Sequence, residues 1–360
     1  MRTIIIAVVL IALIAIIVFS FFLIFNSGQT PEQAEAKSDE DADAQAFFTP
    51  PPQAGVKPGF WRVQNEVELF YFSDGSGTPV LVLHGGPGFP SSEPWKGLSL
   101  LNKNFKFYYY HQRGCGKSSR PFDRFTSGDF NRNMQALINA LGIEQQIADI
   151  ERIRRLLGQE KIILIGHSFG GFTAALYAAK FPDRVKKLAL FAPADIFKMP
   201  PSDGGLYERI KKALPQGKMQ KDYDDYLRRF FDYGNIFSRN ERELAELNSE
   251  FGKYYAAALK NRGLPFTETS VSLEDAGGWL TPAIFFSLGQ SYDRTKELEA
   301  IICPTLVVYA DQDLVLSPRD MKTYADNIRN CQVQVVAGAG HHFFNDKPEE
   351  VAKILTGFLK

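Results

Sequence analysis

The residues able to do chemistry in this chain are a serine, a histidine and an aspartate, each placed just after a short apolar run. Gly166-His167-Ser168-Phe169-Gly170 follows the run at 161–165 and precedes a helical pattern. A serine on such a strand–turn–helix elbow stands exposed at the edge of a sheet, where its hydroxyl can attack a carbonyl carbon. Small residues two positions either side of Ser168 let strand and helix approach closely.

A hydroxyl is a weak nucleophile and needs a base. The chain has only five histidines: His84, His111, His167, His341 and His342. On an elbow of this kind the acid and the base follow the serine in the chain. That leaves His341 or His342, and His341 is preferred because Gly338-Ala339-Gly340 before it forms a flexible loop after the strand at 333–336. The acid belongs after the preceding strand, 305–309. Asp311 and Asp313 both qualify. The spacing favours Asp313 as the residue that orients the imidazole, with Asp311 as a turn carboxylate. His84-Gly85-Gly86-Pro87-Gly88 follows a further run at 80–83. Its glycines allow a turn that points the Gly86 N–H toward the serine, where with the N–H of Phe169 it would make an oxyanion hole. His84 itself reads as a structural hydrogen-bonding residue.

These loops need strands to carry them. Apolar runs at 80–83, 105–110, 161–165, 185–191, 305–309 and 333–336 alternate with helical patterns at 145–157, 172–180 and 348–359. Such alternation predicts an α/β fold, a mostly parallel sheet covered by helices on both faces. Residues 198–283 differ. They are rich in charge and aromatics, with helical patches and no clear strands, and read as a helical cap inserted over the sheet.

The chain has 360 residues, 45% of them apolar and 23% charged. This is ordinary globular usage and excludes a disordered chain, a collagen-like repeat and a disulfide mini-scaffold. Its 41 basic and 41 acidic residues cancel, so nothing electrostatic points to nucleic acid. The apolar content is uneven. Residues 4–25 are apolar except for Ser20. As a helix they would span roughly 33 Å, enough for a bilayer core of about 30 Å. The run is too long for a typical signal-peptide core, and the nearest Ala-x-Ala, at 34–36, lies well beyond it. Arg2 precedes it and acidic residues follow, which predicts a single-pass anchor with the C-terminal part on the extracytoplasmic side. The expected organisation is a transmembrane anchor over 1–25, an acidic and Pro-rich linker over 26–58, hydrolase core over 59–197, helical cap over 198–283, and core again over 284–360.

Three segments together resemble a known family. HGGPG at 84–88, QRGCGKS at 112–118 and ADIERIR at 148–154, upstream of the elbow, are similar to the proline iminopeptidase group of α/β-hydrolases. The similarity covers about 59–197 and 284–360. It implies an α/β-hydrolase fold and a serine exopeptidase that releases N-terminal residues, typically proline. It also implies cap carboxylates that hold the substrate's free amine. Glu208, Glu243, Glu246, Glu250, Glu268 and Glu274 are the possible amine ligands, with Glu274, beside Gly277-Gly278-Trp279, the favoured one. The chain departs from the group in having His111 where Asp is usual, and in its generic elbow. The anchor keeps a carboxylesterase or acylglycerol lipase acting on membrane-derived esters as an alternative. A non-catalytic binding protein is the third reading, disfavoured because every expected triad member is present. No dinucleotide fingerprint or metal-ligand spacing occurs, so neither cofactor nor metal is expected. Cys115 belongs to the QRGCG loop and reads as buried. Cys303 and Cys331 precede two strands expected to be neighbours, and in an oxidising compartment they would be able to form a bridge.

Overall fold

In the computed structural model, residues 45–201, 204–264, 271–316 and 318–360 are described. The proposed anchor, 4–25, lies outside them. Among the described residues no helix is long and apolar enough to cross a membrane. Residues 45–47 form one helical turn in a separate small unit, and residues 50–360 form the main unit described below.

The main sheet has eight strands: β1 (Phe60–Gln64), β2 (Val67–Gly75), β3 (Thr78–Leu83), β4 (Phe105–Tyr110), β5 (Ile162–His167), β6 (Val185–Phe191), β9 (Thr305–Ala310) and β10 (Cys331–Val336). Their spatial order is β1-β2-β4-β3-β5-β6-β9-β10. From β4 to β10 every pairing is parallel, whereas β1/β2 and β2/β4 are antiparallel. The central strands read as continuous apolar runs because both faces are covered; all six residues of β5 are buried. The carboxyl ends of the parallel strands share one edge of the sheet. The loops carrying His84–Gly88, Ser168, Asp313 and His341 all leave from that edge, where open α/β sheets hold their ligands. Two short strands, β7 (Lys198–Met199) and β8 (Tyr292–Asp293), make a separate ladder. β7 falls in the segment expected to lack strands.

The helices are α1 (Lys96–Ser99), α2 (Phe130–Leu141), α3 (Ile143–Leu156), α4 (Phe169–Lys180), α5 (Gly205–Ala213), α6 (Lys218–Phe230), α7 (Glu241–Arg262), α8 (Leu280–Leu288), α9 (Pro318–Asn327), α10 (Phe343–Asp346) and α11 (Pro348–Leu359). α5, α6 and α7 bury a second apolar cluster of their own, apart from the sheet's core. Tyr223, Tyr226 and Phe230 fall on one face of α6, where Tyr223 and Tyr226 meet Tyr254 of α7. α7 starts at a reciprocal capping box between Asn240 and Glu243 and stops at Gly263 in the left-handed region. α8 packs instead on α2 and α3, and its Leu280, Ala283 and Ile284 belong to the sheet's core.

The resemblance motifs have a structural use here. Arg113 of QRGCG reaches both oxygens of Asp149 of ADIERIR, at 2.7 and 2.6 Å, and Arg152 adds a third bond at 3.0 Å. All three side chains are buried. This network ties the loop after β4 to α3. All three cysteine thiols are free. Cys331 lies opposite Thr305 in the β9/β10 ladder, so the two strands are neighbours as expected, without a bridge to Cys303.

Candidate active site

Ser168 sits between β5 and α4 with φ 53° and ψ −120°. A non-glycine residue in that region is strained and persists only when its surroundings hold it. The surroundings do hold it: the Ser168 N–H donates to Phe191 O at 2.9 Å, and its carbonyl accepts from Gly171 and Ala194 at 2.9 Å each. A Cβ on Gly166 would sit 2.4 Å from the Gly170 carbonyl oxygen, and one on Gly170 2.4 Å from that of Leu83. Glycine at these two positions is therefore what lets strand and helix close on the serine.

The structure brings His341 to Asp313. Its Nδ1 lies 2.7 Å from Asp313 Oδ2, and both side chains are buried. The other carboxylate oxygen, Oδ1, accepts from the Val315 N–H at 2.7 Å. The Asp311 carboxylate accepts from the Gly338 N–H at 2.8 Å, the turn role expected of it. His341 is docked beside the elbow by its own carbonyl, 3.0 Å from His167 Nε2, and the two rings are 4.5 Å apart. No hydrogen bond joins the Ser168 hydroxyl to His341 among the described residues. In ligand-free sites such bonds are often long and tighten only in the complex.

Burial disfavours the charged form of each of the other four histidines. His84 accepts from the Gln112 N–H at Nε2 (3.1 Å) and contacts Gly85 O through Nδ1 (2.8 Å); burial lowers its pKa to about 3. His111 accepts from the Lys117 N–H at Nδ1 (3.1 Å), and burial lowers its pKa to about 4. A Cβ on Gly116 would strike the His111 ring. Burial also takes His342 down to about 3 and His167 well below the ordinary value. Cys115 is fully buried, and its burial pushes the thiol up, away from the reactive thiolate.

Gly86, at φ 119°, and Phe169, the first residue of α4, line one cavity together with Ser168. Neither N–H is spent on a backbone hydrogen bond among the described residues. The positive end of α4 lies behind the Phe169 N–H, which suits a developing oxyanion. The cavity has a volume of about 560 Å³ and runs from the serine into α5–α8. Its wall is largely apolar, with Leu206, Phe230, Phe231, Phe251, Phe285 and Leu316.

Glu274 is not brought to this cavity. It is exposed, outside the lining, and its carbonyl rather than its carboxylate accepts from Arg120 at 2.6 Å. Glu208 pairs with Lys212, Glu246 with Arg242 and Glu250 with Arg229, while Glu243 serves the capping box. Glu268 lies outside the described residues. The partly buried carboxylate near Gly278 and Trp279 is Glu241, which accepts from both N–H groups and from Arg120. Two carboxylates do line the cavity, Asp195 and Asp320. Asp195 accepts from Thr323 at 2.7 Å, and Asp320 lies 2.9 Å from Arg209. No spacing rule flagged Arg209, because the fold brings it to the acid loop from 106 residues away in the chain.

A family described as "alpha/beta hydrolase fold" matches residues 78–348. A proline iminopeptidase from Heyndrickxia coagulans is 27% identical over 291 residues, 79% of this chain and 92% of that protein. The proline iminopeptidase of Lactobacillus delbrueckii subsp. bulgaricus is 26% identical over 292 residues, 78% of this chain and 89% of its own. A thermophilic esterase from Thermogutta terrifontis, solved with malate bound, has the same fold with a TM-score of 0.51 and 23% identity. That match covers 81% of this chain and 93% of the esterase.

Proposed function

Since the chain belongs to the alpha/beta hydrolase fold family, we propose that it is a serine hydrolase working by two-step acyl transfer at Ser168. His341 Nε2 takes the hydroxyl proton as Ser168 Oγ bonds to the carbonyl carbon. The N–H groups of Gly86 and Phe169 hold the resulting oxyanion. Its collapse breaks the bond to the leaving group, which takes the proton back from His341, and water repeats the sequence on the acyl-enzyme. Asp313 accepts the Nδ1–H of His341, keeping Nε2 free as the base.

The substrate class we favour is a carboxylic ester with an apolar acyl group. The observation that carries it is the apolar cavity opening on Ser168, whose two carboxylates are already engaged by Thr323 and Arg209. The Arg209 guanidinium already pairs one of these carboxylates, whereas an acyl chain would find the aromatic wall. Each buried methylene is worth about 0.8 kcal/mol, so kcat/KM for nitrophenyl esters should rise by up to about fourfold per CH₂ from acetate to hexanoate. A flat or falling series contradicts this reading.

An aminopeptidase of the proline iminopeptidase type is the second reading. It is supported by the two curated relatives and by HGGPG and QRGCG. Proline p-nitroanilide separates the two. Its cleavage, abolished by blocking the amine, with the esters inert, selects the peptidase. We further propose that residues 4–25 tether the enzyme to a membrane with its catalytic part outside. The full chain should then stay with membranes through an alkaline wash, and a chain lacking 1–25 should not.

A further inference from the structure

We propose that Arg209, on α5, is a positioning residue that clamps the loop carrying Asp313. The proposal rests on the reading of Asp313 and His341 as a catalytic pair. The front of that loop is stitched to the histidine loop: the Gln312 N–H donates to Ala339 O at 3.2 Å, and Asp311 accepts from the Gly338 N–H. Its rear depends on Val315. The Val315 N–H fixes Asp313 Oδ1, which leaves Oδ2 aimed at His341. The Val315 carbonyl in turn accepts from Arg209 Nη2 at 2.6 Å, across 106 residues of sequence. The same nitrogen lies 2.9 Å from Asp320 on α9. One guanidinium thus joins a cap helix, the acid loop and α9, and a short series of contacts leads from it to the imidazole: Arg209, Val315, Asp313, His341.

A guanidinium suits this task. It stays charged, and its planar fork offers several N–H donors in fixed directions. The side chains of Arg209 and Asp320 are 22% and 11% exposed, so solvent reaches the pair only in part. If Arg209 is lost, no hydrogen bond from the other described residues holds the Val315 carbonyl, and Asp313 gains freedom to turn away from His341. Misplacing a catalytic group by about 1 Å can cost roughly 100-fold in rate.

Arg209 also lines the cavity, so a test must separate positioning from substrate contact. Diisopropyl fluorophosphate does so: it is small, and it phosphorylates an activated serine with loss of fluoride. The full-length protein, Arg209→Ala and Arg209→Lys would be compared per folded molecule, with p-nitrophenyl butyrate as the ester. In Arg209→Ala, the inactivation rate and kcat should both fall about 10–100-fold while KM moves by less than about threefold. Lysine, keeping one donor in reach of the carbonyl, should restore much of the loss. Wild-type inactivation of Arg209→Ala, or a change confined to KM, would overturn the clamp. If the wild-type serine itself is inert to the reagent, the hydrolase reading fails first and the clamp with it.

Discussion

At the scale of single residues, the site is one strained serine and one hydrogen-bonded acid–base pair. Replacing Ser168 by Ala removes the proposed nucleophile and should lower kcat on the order of 10⁶-fold. Asp313→Asn keeps the shape but offers a donor where His341 needs an acceptor, so a loss of about 10⁴-fold is expected. His342→Ala should leave kcat nearly unchanged, because Asp313 is bonded to His341. Steady-state kinetics on a short ester would read all three; equal losses for the two histidines would reverse their assignment. These residues were legible because their types are few and each follows an apolar run. Arg209 was not, since nothing local marks a residue whose partner is brought up by the fold. Glu274 shows the opposite failure: proximity to a glycine-rich turn says nothing about where a carboxylate ends up once its turn is exposed.

At the scale of elements, the parallel strands were easy to find and the others were not. β4, β6 and α11 fall on the residues expected, since a strand buried on both faces is a bare apolar run and α11 has a strong helical period. β1 and β2 are harder to read because, at the antiparallel end of the sheet, β1 alternates between buried and half-buried residues, β2 is mostly half-buried or exposed, and the two carry Arg, Gln and Glu. The loop after β4 depends on the Arg113–Asp149–Arg152 network, which the sequence shows only as part of a resemblance. Breaking one member of a buried ion network costs about 3–5 kcal/mol. Asp149→Asn should therefore lower the urea unfolding free energy by that amount; a change under about 1 kcal/mol would mean that the network is dispensable.

For the whole molecule, the neutral charge balance hides a dependence on pH. His84, His111, His167 and His342 are all pushed below the ordinary 6.5 by burial, three of them to between about 3 and about 4. The unfolded chain therefore binds more protons than the folded one below pH 6.5. Stability from these rings is fully present above 6.5 and is lost as pH falls toward 3. The melting temperature should drop steadily from pH 7 to pH 5, with proton uptake on unfolding. A flat profile would show that the four rings are not held neutral by the fold. His341, joined to Asp313, is the imidazole proposed as the base.

The central claim is that Ser168 forms the covalent acyl intermediate. Mixing the protein with p-nitrophenyl butyrate, quenching in acid within milliseconds and digesting for mass spectrometry tests it directly. The account predicts a butyryl group on the peptide containing Ser168, absent in Ser168→Ala and decaying as product appears. Ester turnover that persists in Ser168→Ala, or an acyl group found on another residue, would contradict it.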